Sequence, residues 1–383
     1  MSEEEGVTPA SPSDFLGRGK LEDGIGLCLS GGGFRAMLFH LGCFVRLNEL
    51  GLLPRLERVA SVSGGSIAAG ALAVAWPELE FDASGVAVNL CEKVATPLLA
   101  LARWRLDAPA IVLGLLPFLR AANLAAAVYD HVIFKGRTLQ DLPEKPRFVF
   151  TATSLQTGVL WRFAREYAAE WRVGEWRSPD LAMSLAVGAS AAFPPFLSPV
   201  SIRLPPGAIA AMKGADLNFA PFTTQLFLTD GGVYDNLGLE PIWKRYRTIL
   251  VSDGGLASPP MGVPWTNWLS QAVRVTNVAL QQGINMRVRV LRGLHNSGQR
   301  NVVYWGVAEP VDNYQVGNPL QFTSESTKSA ASVATRLKRF PNEVQNLLMQ
   351  AGYAQADAAL RASNIGQMIA RPPDFSRLPL HKK

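Results

Sequence analysis

A chain of 383 residues, 48% of them hydrophobic, can bury a large core, and its length fits one big domain with insertions better than two modest ones. With 37 Lys and Arg against 31 Asp and Glu the net charge is +6, too mild and too scattered for a nucleic-acid partner but suited to an anionic membrane surface or phosphate headgroups. Cys28, Cys43 and Cys91 are odd in number, lie in apolar surroundings and lack metal-like spacing, which excludes a disulfide framework and reads as reduced core residues.

Residues 1–20 open on Glu3-Glu4-Glu5 and then mix Pro, Ser and Gly. Without a basic start and an apolar centre this is no secretory signal; a disordered lead and a cytoplasmic protein, peripheral at a membrane if attached to one, are expected. The apolar run 25–29 ends in Ser30-Gly31-Gly32-Gly33-Phe34-Arg35, and 36–50 has helical periodicity, so strand, glycine loop and helix follow one another. Three glycines let successive N–H groups turn inward beside a helix N-terminus that favours an anion, and Arg35 adds a full charge. A phosphate is one candidate, but neither G-x-G-x-x-G nor G-x-x-x-x-G-K-[ST] is present. The other is the oxyanion formed when a serine attacks an ester.

Residues 59–66 (V-A-S-V-S-G-G-S) read as a strand that stops at Ser63 and turns directly into a helix, the geometry of a nucleophile elbow. The usual spacing is G-x-S-x-G, and Ser61 takes the place of the first glycine. The same octet also reads as an ordinary junction in which Ser63 caps the helix. As a right-handed parallel crossover the two strands would lie side by side. Residues 81–142 form the least strand-like part of the chain and include its most apolar stretch, 108–129, where Arg120 is the one charge. Pro109, Pro117 and a mid-span arginine argue against a transmembrane helix; buried core, a hydrophobic lid and an interfacial anchor with Trp104 and Phe118 remain open.

Strands are expected at 147–152 and 159–163, a small-residue helix at 182–195 stopped by Pro194-Pro195, and further strands at 226–229 and 248–252. The last two run into Asp230-Gly231-Gly232 and Asp253-Gly254-Gly255, two acids held at strand ends by glycines. A long helix is expected over 265–292 with its arginines on a solvated face, a strand at 302–307, helices at 324–340 and 342–360, and a loose tail from 372. Of the four histidines, His40 and His295 belong to or follow helices, His131 lies between apolar segments and His381 in the tail. None follows a strand end with loop chemistry around it, whereas Asp230 does, and a partly desolvated carboxylate can act as the base for a serine.

The ordered set of Ser30-Gly31-Gly32-Gly33-Phe34-Arg35, S-V-S-G-G around Ser63, and Asp230-Gly231-Gly232 continuing through Asn236 to Pro241 resembles the patatin-like phospholipases. T-A-T-S-L-Q-T-G at 151–158 and A-S-A-A-F-P at 189–194 look like core blocks of that family, and the likeness runs over most of 24–255. It implies an α/β, three-layer α/β/α fold around a mainly parallel sheet, a Ser-Asp dyad without histidine, no cofactor or metal, and hydrolysis of acyl esters in phospholipids, lysophospholipids or neutral lipids. Carried over by motif, Ser63 is the nucleophile, Asp230 the base, and Gly31, Gly32, Gly33 and Arg35 the oxyanion loop, with Ala36 where the loop often has a last glycine. A catalytic domain over 21–310 and a helical C-terminal extension over 311–383 follow. The partners implied are a lipid ester and a peripheral membrane contact, with no nucleic acid. Two other functions use the same residues: acyl transfer to an alcohol or amine, and lipid or phosphate binding without catalysis. A binder has no need of both a placed serine and a placed acid.

Overall fold

The computed structural model describes residues 21–106, 121–255, 260–264, 266–363, 365 and 370–381. The expected disordered lead lies outside them, as do residues 108–120 of the apolar stretch with Leu115, Leu116 and Phe118. Strands β1 (Glu22–Leu29), β2 (Leu56–Ser61) and β3 (Arg147–Ser154) are buried along most of their length, as strands covered on both faces are. They pair in parallel, and β10 (Tyr246–Asp253) and β11 (Asn301–Gly306) extend the parallel set beyond β1. On the other side of β3 the sheet turns antiparallel through β4 (Leu160–Phe163), β5 (Tyr167–Glu170), β6 (Gly174–Arg177) and β8 (Ile209–Ala210). Strand β9 (Gln225–Asp230) also lies antiparallel to β3, with β7 (Val200–Arg203) outside it.

Period-two alternation sends Leu27, Leu29, Val59, Phe148 and Phe150 to one face of this sheet and Cys28, Ala60, Val149, Ile249 and Val251 to the other. The first face is covered by α1 (Gly33–Glu49), α2 (Gly64–Ala75), α3 (Thr96–Leu101), α4 (Ala121–Tyr129) and α5 (Met183–Ser190). The second is covered by the loop from the short α6 (Gly232–Asp235) to Tyr246 and by the C-terminal half of α7 (Trp268–Asn296). The result is the expected three-layer α/β arrangement, with a sheet that is parallel from β11 to β3 and antiparallel beyond.

Several local expectations are corrected. The helix expected over 324–340 is α8 (Ser324–Ser332) only, because the carbonyls of Val333, Arg336 and Leu337 bond to Arg35, Phe34 and Leu106 instead of continuing a helix. The tail is not loose: Asp374 N–H donates to the Tyr353 hydroxyl at 2.9 Å, Leu378 is buried, and His381 exchanges main-chain bonds with the Asn346 side chain. Cys28 and Cys43 are buried, whereas Cys91 is half-buried. The part of the apolar stretch that is described, α4, packs against α5 with Ala125, Ala126, Val128 and Tyr129 buried. Among the described residues no helix is long and apolar enough to cross a membrane.

The C-terminal α9 (Asn342–Arg361) shares the core of α1. The two helices cross at Gly42 and Gly352, where a methyl group on Gly42 would collide with the Met349 carbonyl and one on Gly352 with the Phe39 carbonyl. Beside the crossing, Arg46 is buried with Glu49 at 2.8 Å and Asp357 at 2.7 Å, and the Tyr353 hydroxyl donates to Glu49. Every charge in this cluster has a partner, as desolvated charges require. Because main chain cannot retreat as a side-chain tip can, Gly352→Ala is expected to lower stability by about 3 kcal/mol, the upper end of the overpacking range. Gly293→Ala, in the exposed end of α7 with open space around it, is expected instead to raise stability by about 0.5–1 kcal/mol. Thermal melts of the two variants check this, and equal melting temperatures would refute the close crossing.

Candidate active site

Parallel pairing brings the carboxyl ends of β1 and β2 together, so the glycine loop after β1 and the turn after β2 face each other at one edge of the sheet. Ser63 follows β2 at φ 50° and ψ −121°, a conformation a non-glycine residue rarely adopts, and α2 begins at the next residue. Its main-chain N–H donates to Ser190 Oγ at 3.0 Å, and Ser190 Oγ shares a 2.8 Å bond with Ser66 Oγ, which in turn donates to Ser61 Oγ. The serine that replaces the first elbow glycine therefore anchors this chain of hydroxyls.

Asp230 ends β9, which the antiparallel pairing with β3 delivers to the same edge. The Ser63 side chain lies beside its carboxylate and favours the charged form, and Asp230 Oδ1 accepts the Gly232 N–H at 2.8 Å. Only 4% of Asp230 and 8% of Ser63 are exposed, so the pair is shielded from bulk water. Burial raises the Asp230 carboxyl to about 6, against the opposing pull of the Gly232 N–H and the Ser63 hydroxyl. Around the pair, Thr151 donates to the Ser61 carbonyl at 3.0 Å and Thr153 to the Asp230 carbonyl at 2.9 Å, while Asp230 N–H donates to the Ala192 carbonyl. The blocks 151–158 and 189–194 thus position both side chains. From the sequence the second block read as a small-residue helix and, by resemblance, as a core block of the family; a serine and a small-residue stop before two prolines gave no sign of these bonds.

The glycine loop supplies donors beside this pair. Gly32 (φ 142°) and Gly33 (φ 61°) take up backbone angles closed to other residues, and α1 starts at Gly33. Gly31 N–H is already bonded to the Asn236 carbonyl at 3.0 Å, and Phe34 N–H to the Arg336 carbonyl at 2.9 Å. Among the described residues, the N–H groups of Gly32, Gly33 and Gly64 have no acceptor, and Gly33 and Gly64 open the first turns of α1 and α2. Two helix N-termini therefore converge with unspent donors where negative charge would be favoured.

The remaining candidates hold the loop in place. The Arg35 guanidinium donates from Nε to the Gly254 carbonyl at 3.0 Å and from Nη1 to the Val333 carbonyl at 2.8 Å. Asp253, the other acid of a D-G-G string, accepts from Tyr304 at 2.8 Å and from Gly255 N–H, which also reaches Ser30 Oγ. Asp230 is the acid the fold brings to Ser63, and the second loop braces the glycine loop. His40 lies under Ser30, and burial lowers it to about 4, leaving it neutral. Its Nε2–H donates to the Ser30 carbonyl at 3.0 Å and its Nδ1 accepts from Ser252 Oγ at 2.8 Å. No histidine bonds Ser63 among the described residues: His295 accepts from Val302 N–H and His381 meets Gln345. Nor do the described residues include a cluster of three or more side chains suited to a metal ion.

Comparison with known proteins agrees with this arrangement at the family level. No curated protein matches the chain. Among solved structures, human GIVD cytosolic phospholipase A2 is similar over 89% of this chain and 62% of its own, at 11% identity and a TM-score of 0.46. Its complex with methyl gamma-linolenyl fluorophosphonate and terbium chloride covers 89% and 59%, at 14% identity and 0.49. VipD from Legionella pneumophila covers 90% and 67%, at 15% identity and 0.38. The chain thus spans less than two thirds of the human enzyme. A family model described as Patatin-like phospholipase matches residues 27–243, more than half of the chain and the whole stretch from β1 past Asp230. On that match the chain belongs to the patatin-like phospholipase family.

Proposed function

We propose that the protein is a serine acyl hydrolase that cleaves fatty-acyl esters of phospholipids, lysophospholipids or neutral lipids through Ser63 and Asp230. The observation that carries the reading is the Ser63 side chain set beside a buried carboxylate whose proton affinity is raised to about 6. At neutral pH such a group is ionised and still basic enough to accept a proton. Ser63 Oγ attacks the ester carbonyl carbon while its proton passes to Asp230. The oxygen that becomes negative is taken by the N–H groups of Gly32 and Gly33 at the start of α1, with Gly31 and Arg35 fixing the loop. The tetrahedral intermediate collapses, the leaving alcohol takes the proton from Asp230, and the acyl group stays on Ser63. Water, deprotonated by Asp230, then attacks the acyl-serine, and the fatty acid is released as Asp230 returns that proton to the departing Ser63 Oγ. Burial of the dyad and the lipid substrates of the family favour this reading over binding alone.

A fluorophosphonate ester is expected to label Ser63 stoichiometrically by mass spectrometry. Ser63→Ala is expected to lose labelling and to lower hydrolysis of a short p-nitrophenyl ester by several powers of ten, about the full chemical contribution of a nucleophile. His131→Gln and His295→Gln should stay within about threefold of the parent, and Asp253→Asn should retain most of its turnover. A native rate for Ser63→Ala, or a dead but folded His295→Gln, would refute the dyad.

The acid gives a second test, with opposite signs for rate and stability. As a base Asp230 works ionised, so kcat/KM is expected to rise with pH through about 6 and to be about tenfold lower at pH 5 than on its plateau. For stability, the folded carboxyl binds its proton more tightly than the unfolded one, whose ordinary value is 3.8. Its contribution is therefore fully present below 3.8 and is lost as pH rises through about 6. Asp230→Asn removes that loss. The variant should be inactive yet more stable than the parent at pH 8, by on the order of 2–3 kcal/mol, and no more stable at pH 3.5. Melting curves at the two pH values check it; equal stability at pH 8 would mean that burial of the charge is not costly.

A further inference from the structure

Helix α7 has an apolar stripe on the wrong side for a core. Trp268, Ala272, Val275, Ala279, Met286 and Val290 recur at intervals of three, four and seven residues, which places them along one face of a helix, and all are exposed. Trp268 is 80% exposed, Val275 66% and Met286 54%. The opposite face does the packing, with Leu291 buried and Ile284 and Val288 against Val302 and Tyr304. The helix contains four arginines and no carboxylate over 29 residues. Arg287 is tied to Asp235 and Glu240, but Arg289 and Arg292 are exposed and form no ion pair among the described residues.

We infer that this face of α7 docks the protein on an anionic lipid bilayer, an inference that extends the lipid-ester reading of Ser63 and rests on it. Charge complementarity selects the occupant. A second copy of the same helix would bring four more arginines and no carboxylate to face them, whereas anionic headgroups attract Arg289, which flanks the stripe, and Arg292, which lines the cleft beside it. An exposed tryptophan at the start of the stripe has the apolar body and polar N–H that suit the headgroup level.

Topology places the docked face beside the reacting groups. Gln281, Ile284 and Asn285 of α7 face Asp253 and Gly306, at the carboxyl ends of β10 and β11, across a cleft of about 370 Å³. Residues 268–280 therefore run on past the sheet edge for about 20 Å at 1.5 Å per residue. That edge also carries Ser63, because β2, β1, β10 and β11 are parallel. A bilayer that takes the stripe lies next to the edge from which an ester carbonyl must reach the serine.

Sedimentation of the full chain with vesicles tests the inference, using phosphatidylcholine alone and phosphatidylcholine mixed with phosphatidylglycerol. Strong binding to the mixed vesicles only, weakening as salt is raised, is expected. Arg289→Gln with Arg292→Gln should weaken it by about fivefold per arginine. Trp268→Gln, Val275→Gln and Met286→Gln together should weaken it at least about tenfold, with the melting temperature and the cleavage of a soluble short-chain ester unchanged. Native binding by the triple variant would overturn the inference. So would a parent that ignores both vesicles but forms a dimer that the triple variant cannot form, since a second copy would then cover the stripe. If binding depends on the stripe but the parent cleaves no ester, the docking surface stands and the hydrolase reading falls.

Discussion

A serine held at φ 50° and ψ −121° is the constraint on which the rest of the site depends. That backbone costs on the order of 1–3 kcal/mol, and it persists only where the surroundings leave the residue no alternative. Here the surroundings are the end of a central parallel strand, the first turn of α2 and the Ser190 hydroxyl on the Ser63 N–H. The Ser190 segment also holds the acid's loop, since the Ser190 carbonyl accepts the Gly231 N–H at 3.2 Å. Ser190 sits two residues from the carbonyl that receives Asp230 N–H, and Thr151 and Thr153 of one strand clamp the serine strand and the acid in turn. Ser63 and Asp230 are held by one hydrogen-bonded frame, so their separation does not depend on a mobile loop.

The burial that shields Ser63 and Asp230 also raises the proton affinity of the acid. A carboxylate in water is too weak a base to help a serine, and desolvation corrects this at the expense of the fold. The histidine nearest the glycine loop is spent on geometry, with both ring nitrogens bonded beneath Ser30. The two D-G-G strings divide the labour between them, since the loop after β9 meets Ser63 while the loop after β10 steadies Ser30 and Arg35.

Much of this is legible in the sequence because it is local. Buried parallel strands are continuous apolar runs, and a glycine loop or a serine followed by two glycines states its own turn chemistry, so β1, β2, β3, β10 and the loops after them stand close to where composition places them. What the sequence hides is set by distant contacts. The strands β5 to β8 are four residues or fewer and carry too little pattern to read. The antiparallel run of β9, which decides which aspartate reaches Ser63, follows from its pairing with β3 and not from its own residues. Helix α8 stops at Ser332 against an apparent helical pattern because the next carbonyls are claimed by the glycine loop and its arginine. Arg35 reads as a charge for an anion, yet two main-chain carbonyls far along the chain occupy it.

Those same carbonyls tie the beginning of the fold to a part of the chain made long afterwards. Val333 stands 298 residues from the Arg35 it accepts from, and Arg336 receives the Phe34 N–H at the very start of α1. On the ribosome, the serine, the acid and the central strands are complete well before residues 333–361 emerge, but the glycine loop lacks these two bonds until they do. Closing so long a loop is among the slower events of folding. A nascent or prematurely terminated chain therefore carries Ser63 and Asp230 beside a glycine loop that lacks its bonds to Val333 and Arg336.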